Sequence, residues 1–151
     1  MPATDRDEWP VPPRLSELRP EALDRLAEAG AVVNDVVDSA LLAIVRERVA
    51  MLLGCDREIA RQGWPQAVEP AVLDAVADWP TDPRFSERDR DTLSFVEQYV
   101  IDVASVDDAM VARMARHFDG DDAVRDFVVA LYLAEFTLRL RMADIGLLRA
   151  S

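Results

Sequence analysis

Apolar positions return every three or four residues through most of the chain, the period of a helix that buries one face. Between Val36 and Leu53 they fall at Val37, Leu41, Ile44, Val45, Val49 and Leu52, with Asp35 or Asp38 in place to cap the start. That spacing predicts a core helix. Upstream, Leu18, Leu23 and Leu26 share one side of a shorter helix over Leu18–Ala29, which Pro20 opens and Gly30 closes. Gly54 interrupts the central pattern, so Cys55 to Arg61 reads as a further turn or two, ended by Gly63-Trp64-Pro65. The thiol is then expected at a helix N-terminus. Glu69-Pro70 starts a short segment over Ala71–Ala77, and the proline spacing of Asp78 to Pro83 predicts a loop.

In the second half, Ser86 followed by Asp89 matches a capping box with Asp in place of Glu. The helix it opens should bury Leu93, Phe95, Val96, Tyr99 and Val100. Ser105 to Asp108 gives a second such signal, for a helix over Val106–Phe118 with Met110, Val111 and Met114 on its inner face and Gly120 past its end. Asp121 and Asp122 begin the last long helix, whose stripe of Val124, Phe127, Val128, Leu131, Leu138 and Met142 runs to Gly146. Nothing alternates with period two for long enough to make a strand. The pattern predicts an all-α fold whose short connections favour antiparallel neighbours.

Length bounds this reading to one domain, because 151 residues with 50% hydrophobic positions suit a single core. Residues 1–15 stand apart as an arm: Pro2, Pro10, Pro12 and Pro13 favour extended backbone on the surface or on another subunit, with Trp9 as the anchor. The helical domain is expected over 16–151. The net charge of −12, with every one of the 17 basic residues an Arg, disfavours nucleic acid and anionic lipid as partners. No apolar run reaches membrane-spanning length, since the longest, Phe127 to Phe136, is cut by Glu135. One Cys excludes a disulfide framework, and one His beside it leaves no basis for a multi-thiolate or His-rich metal site. A lone thiol and an opening without a secretory pattern suit a reducing, cytoplasmic setting.

Five residues are candidates for chemistry. A helix N-terminus at Cys55 would favour thiolate, with Arg57 and Arg61 in support and Asp56 and Glu58 opposed, against the common fate of a free Cys as a small buried hydrophobe. Glu58, three residues on, would share a helical face with the thiol and flank one small ligand; alternatively it pairs with Arg61 or Gln62 in solvent. Glu47, between Arg46 and Arg48, reads as part of a surface charge cluster. His117 suits the C-terminus of its helix better than catalysis. Glu135 interrupts an apolar segment and needs a partner, which Arg139 supplies four residues later, either as an ordinary ion pair or as a charged pair facing a substrate pocket or subunit boundary. Glycine-rich phosphate loops, a G-x-S-x-G turn and two-His metal motifs are absent, and no cofactor is implied.

The segment LLAIVRERVAMLLGCDREIARQ, Leu41 to Gln62, resembles the core motif of the carboxymuconolactone decarboxylase and alkylhydroperoxidase AhpD-like superfamily. Arg46, Arg48, Val49, Gly54 and Cys55 stand at the places of its R-x-R-V helix, glycine turn and cysteine. Phe85 to Arg90 before Leu93, Val106-Asp107-Asp108, His117-Phe118 and Ile145-Gly146-Leu147 extend the likeness over roughly residues 15 to 148. The resemblance implies an all-helical subunit, assembly into trimers or hexamers, and a small pocket near the Cys-bearing helix.

Redox members of that family resemble one another in a Cys-x-x-Cys-x-x-x-His arrangement with a relay Glu twelve residues before the first Cys. Here Cys55 keeps the first position, while Glu58, Gln62 and Ala43 occupy the others. A two-thiol cycle is therefore lost. The resemblance leaves three functions open. The first is chemistry at Cys55, as nucleophile or peroxidatic thiol, with Glu58 as proton donor or acceptor and an external thiol as reductant. The second is a non-catalytic helical homo-oligomer that binds a metabolite or partner protein. The third is non-redox decarboxylation or isomerisation of a small carboxylate or lactone, using Glu58 or Glu135 with a nearby Arg as anion clamp.

Overall fold

The computed structural model describes residues 19–149 apart from positions 63 and 66, and for 144–149 it describes the backbone alone. The proline-rich arm with Trp9 lies outside the described residues. Seven α-helices form, with no strand among the described residues: α1 Pro20–Val36, α2 Ser39–Leu53, α3 Arg57–Arg61, α4 Pro70–Ala75, α5 Glu87–Asp102, α6 Asp108–Ala115 and α7 Gly120–Arg149. Two single 3-10 turns, Val76–Asp78 and Val103–Ser105, follow α4 and α5.

The central element is α2, which packs against α5 on one side and α7 on the other and also meets α3 and α4. Leu41, Leu42, Ile44, Val45, Val49 and Ala50 are buried along it. So are Arg46 and Glu47, and the reason lies in what α3 brings to them. The helix starts where Asp38 accepts a hydrogen bond from the Leu41 amide at 3.0 Å. That bond and an ion pair with Arg88 hold the Asp38 carboxyl below its ordinary pKa. It ends in a left-handed Gly54, φ 68°, with the Cys55 amide returning 2.9 Å to the Ala50 carbonyl, a Schellman closure that only glycine adopts without strain.

The first helix does not stop at Gly30. Gly30 is not among the glycines with positive φ, which among the described residues are Gly54 and Gly120, and it is buried with Val33 while α1 packs on α7. A mid-helix glycine costs about 1 kcal/mol in propensity, and burial of the α1 face offsets it. The helix therefore continues two turns to Val36 and is broken by the Asp38 cap.

Ser86 and Asp89 form the expected reciprocal box: the Ser86 hydroxyl accepts from the Asp89 amide at 3.2 Å, and the Asp89 carboxylate accepts from the Ser86 amide at 2.9 Å. Leu93, Phe95 and Val96 are buried, with Tyr99 and Val100 packed at the core edge. The second expected start is displaced. A 3-10 turn consumes Val103–Ser105, and Asp107, not Ser105, caps α6 by accepting from the Met110 amide at 2.8 Å. The helix is accordingly shorter than Val106–Phe118, and Val111 is 36% exposed. Gly120, at φ 83°, opens α7, which runs on through Gly146 and buries Phe127, Leu131 and Leu138. No helix among the described residues is long and apolar enough to cross a membrane.

Candidate functional site

The turn at Gly54 sends the chain back along α2, so that α3 lies against the helix it has just left. Asp56 caps α3 by accepting from the Ile59 amide at 3.0 Å. Cys55 therefore stands before the cap and outside the helix. The shared helical face expected for Cys55 and Glu58 does not form: the thiol is buried and the Glu58 carboxylate is exposed. The Cys55 sulfur is 3.6 Å from the Asp56 carbonyl, placed to donate to it. Burial pushes the thiol pKa up, with Asp56 adding to the rise and Arg141 and Arg46 opposing it. Desolvation is the largest of these effects.

The two guanidiniums define the site. Arg46 reaches from α2 to the end of α3, where its Nη2 donates to the Ala60 carbonyl at 2.7 Å. Arg141, from α7, donates through Nη1 to the Ile59 carbonyl. Both reach carbonyls in the last turn of α3, where the Ile59 oxygen also accepts from the Gln62 amide at 3.3 Å. The Arg46 guanidinium carbon also lies over the Trp64 ring, 3.4 Å from its centroid. Burial and the proximity of Arg141 push the Arg46 pKa well below its ordinary value.

Glu47 is 2% exposed and sits inside a fork of arginines. Arg57 Nε donates to its Oε1 at 2.7 Å, and Arg61 donates to Oε2 and Oε1 at 2.9 and 2.8 Å. Asp74, at the end of α4, takes a further bond from Arg61 at 2.9 Å. The hydrogen bond from Arg61 lowers the Asp74 pKa, and the one to Glu47 raises that of Arg61. Residues 57 and 61 are one helical turn apart, so both can converge on one carboxylate. The surface charge cluster expected at Arg46-Glu47-Arg48 is thus a buried one at its first two members. Arg48 turns to another side of α2, where it and the Trp79 indole both bond Glu97 Oε1, at 2.7 and 2.8 Å, tying α2 to α5.

Between α2, the end of α3 and the chain leading into α4 lies a cavity of about 210 Å³. Leu42, Ala43, Ala60, Val68 and Leu73 give it apolar walls. Asn34, Ser39, Arg46, Glu47 and Arg61 give it polar ones, and Trp64 forms part of the rim of side chains. Position 43, where the redox family's relay Glu would stand, faces this space as alanine. Neither Cys55 nor Glu58 lines it. Glu135 and Arg139 do not either: they form an intrahelical pair, with Arg139 Nη2 2.7 Å from Glu135 Oε1. Among the described residues, no group of three His, Cys, Asp or Glu side chains is placed to hold a metal ion.

His117 lies beyond the end of α6 and meets a side chain, not the helix carbonyls expected of it. Its Nε2 is 2.8 Å from Asp91 Oδ2, and Arg116 reaches the same oxygen at 2.8 Å. The hydrogen bond with His117, followed by that from Arg116, holds the Asp91 pKa below the ordinary carboxylate value.

Sequence reasoning missed Arg46, Glu47, Trp64 and Arg141 as one assembly. The available signal was the pair Arg57 and Arg61, four apart on a short helix that a glycine turn folds back against α2.

Over 110 residues the chain is 28% identical to the uncharacterized protein YnjA of Escherichia coli (strain K12), a match covering 71% of this chain and 60% of that protein. The chain thus spans about three fifths of the curated relative it matches. No family model and no solved structure matches.

Proposed function

We propose that this chain is a divergent AhpD-like, carboxymuconolactone decarboxylase-like protein that binds a small molecule in the cavity beside α2 and has left the family's thiol cycle behind. The observation that carries this reading is the divorce of thiol from cavity: Arg46, Glu47 and Ala43 line the space, while Cys55 is buried apart from it with its pKa raised. The family likeness rests on the Arg46 to Cys55 motif. The matching volume is that of a ligand a little larger than benzene, for which a cavity of about 150 Å³ is enough. A cytoplasmic setting belongs to the same reading, on the strength of the single reduced thiol.

A second reading keeps chemistry at Cys55, because Arg46 and Arg141 both favour its thiolate. In it the sulfur would attack a hydroperoxide, the O–O bond would break, and the products would be an alcohol and a Cys55 sulfenic acid, returned to thiol by two equivalents of an external thiol with loss of water. Peroxide treatment of the folded chain with dimedone present decides between the two. Mass spectrometry should find Cys55 unmodified until the protein is unfolded; dimedone on Cys55 in folded protein would overturn the first reading in favour of the second.

Self-association is the remaining part of the proposal. Val129, Tyr132 and Phe136 are exposed along α7, and the last two rings stack 6.1 Å apart. An exposed apolar strip of this kind favours a partner surface. Light scattering on the full chain should give a trimer or hexamer, and a monomeric mass at working concentration would remove this part.

A further inference from the structure

We infer that a groove between α1 and α7 is the seat of this chain's own proline-rich arm, residues 9–15, with the Trp9 ring as its anchor. The groove is separate from the cavity beside α2 and shares no residue with it. Leu23, Leu26 and Ala29 of α1 line it together with Phe136 and Leu140 of α7. It runs beside the half of α1 that is least covered: the buried residues of that helix, Gly30 and Val33, both lie beyond Ala29, and Phe136 is 39% exposed. Apolar surface gathered in this way favours an apolar partner.

Four properties select the arm as that partner. The first is reach. The described residues begin at Arg19, which itself lines the groove, so the arm joins the molecule at the groove's end. From Arg19 to Ala29 the α1 wall rises about 15 Å, and Trp9 to Leu15 at polyproline spacing extends about 19 Å, with Ser16 to Leu18 left to reverse the direction. The second is backbone chemistry. Those five side chains offer no hydrogen-bond acceptor, and between Pro10 and Pro13 only Val11 carries an amide N–H, so little is orphaned when the segment is covered. Extended proline-rich segments dock against aromatic walls for the same reason, and Phe136 supplies one. The third is charge: Asp7 and Glu8 come just ahead of Trp9, and Arg25 stands at the groove with its side chain 82% exposed, held by Glu28 in a surface pair that shares a bond readily. The fourth is the tether. A short linker holds the arm at an effective concentration on the order of millimolar, which favours the chain's own groove over that of a second copy.

The test is nuclear magnetic resonance on the full chain with labelled leucine methyl groups. Through-space contacts should join the Trp9 indole ring to the methyls of Leu23, Leu26 and Leu140. Trp9→Ala should abolish those contacts and shift the same three methyls, while those of Leu42 and Leu73, at the other cavity, stay in place. Leu26→Asp should return the Trp9 indole N–H to the shift of an exposed tryptophan; the contacts in the unaltered chain and the Trp9→Ala comparison decide the matter even where Leu26→Asp costs the fold. Absence of any contact from Trp9 to the three leucines, or methyls unmoved by Trp9→Ala, would overturn the inference. In a sample refolded from a mixture, one copy carrying only the labelled leucines and the other only a protonated Trp9, no contact should appear. A contact there would overturn the assignment to the chain's own groove and give it to the arm of a second copy. The cavity beside α2 is not touched by either result, so the ligand-binding reading stands or falls separately.

Discussion

Glu47 and Asp91 each gather two nitrogen-bearing side chains, and the contrast between them explains where function is expected. Glu47 receives Arg57 and Arg61 while 2% exposed, at the meeting of α2 and α3 and against a cavity. Asp91 receives His117 and Arg116, partly buried between α5 and the end of α6. The hydrogen-bond patterns are alike. Their surroundings differ, and so does what each can do: a fully buried carboxylate cannot be released without stranding charge, while water has access to one that is partly exposed. The first arrangement fixes the shape of a cavity wall. The second is a fastener that pH can loosen.

The largest expected effect comes from breaking the buried member. Glu47→Gln should destabilise the chain by about 2–4 kcal/mol, because two guanidiniums lose their shared acceptor at a site with little access to water; urea unfolding measures it. A change below about 1 kcal/mol would place Glu47 with the surface pairs. Sharper still is the coupling, since Glu47→Gln and Arg61→Gln share one network and should combine non-additively by about 1–3 kcal/mol in a double-mutant cycle.

Asp91→Asn should cost less than Glu47→Gln near neutrality, about 1 kcal/mol, because the pair is partly open to water and the amide oxygen still accepts. Its signature is in acid. The folded pKa of Asp91 lies below its unfolded value of about 3.9, so its contribution is complete above that value and disappears as pH falls through the lower, folded one. The variant should therefore show a flatter loss of stability between the two. An unchanged acid limb would mean that Asp91 is not held by its partners in solution. Asp74→Asn is the smallest case: at 62% exposure, its bonds to Arg61 and Arg57 should leave the melting temperature unchanged within error.

Local grammar made much of the fold legible. Asp38, Gly54 and the Ser86–Asp89 box carry their instructions within four residues, and each is obeyed. Gly30 was expected to end α1 and does not, because a glycine closes a helix in this way by adopting positive φ, and the packing of α1 on α7 removes the occasion for it. The cap expected at Ser105 falls inside the 3-10 turn Val103–Ser105, and Asp107, two residues on, caps α6 instead.

The site was less readable for a different reason. Cys55 drew attention by its rarity, but its surroundings are set by Arg141, more than eighty positions away in sequence. Glu47 looked solvated because its immediate neighbours are arginines. Its actual partners lie beyond the glycine turn, at positions 57 and 61. Helical spacing reports contacts along one element, and this cluster is built across three.

If the Arg46–Glu47 cavity and not the Cys55 turn holds the ligand, binding should survive loss of the thiol. The decisive measurement is a nuclear magnetic resonance titration of benzene, which a cavity of this volume admits, into the unaltered chain and into Cys55→Ser. Saturable shifts of the Ala43, Ala60 and Leu73 amides are expected in both, with affinities within about twofold, since a thiol and a hydroxyl differ little at a position that does not line the cavity. Loss of benzene binding in a Cys55→Ser protein that remains folded would place the site at the thiol instead.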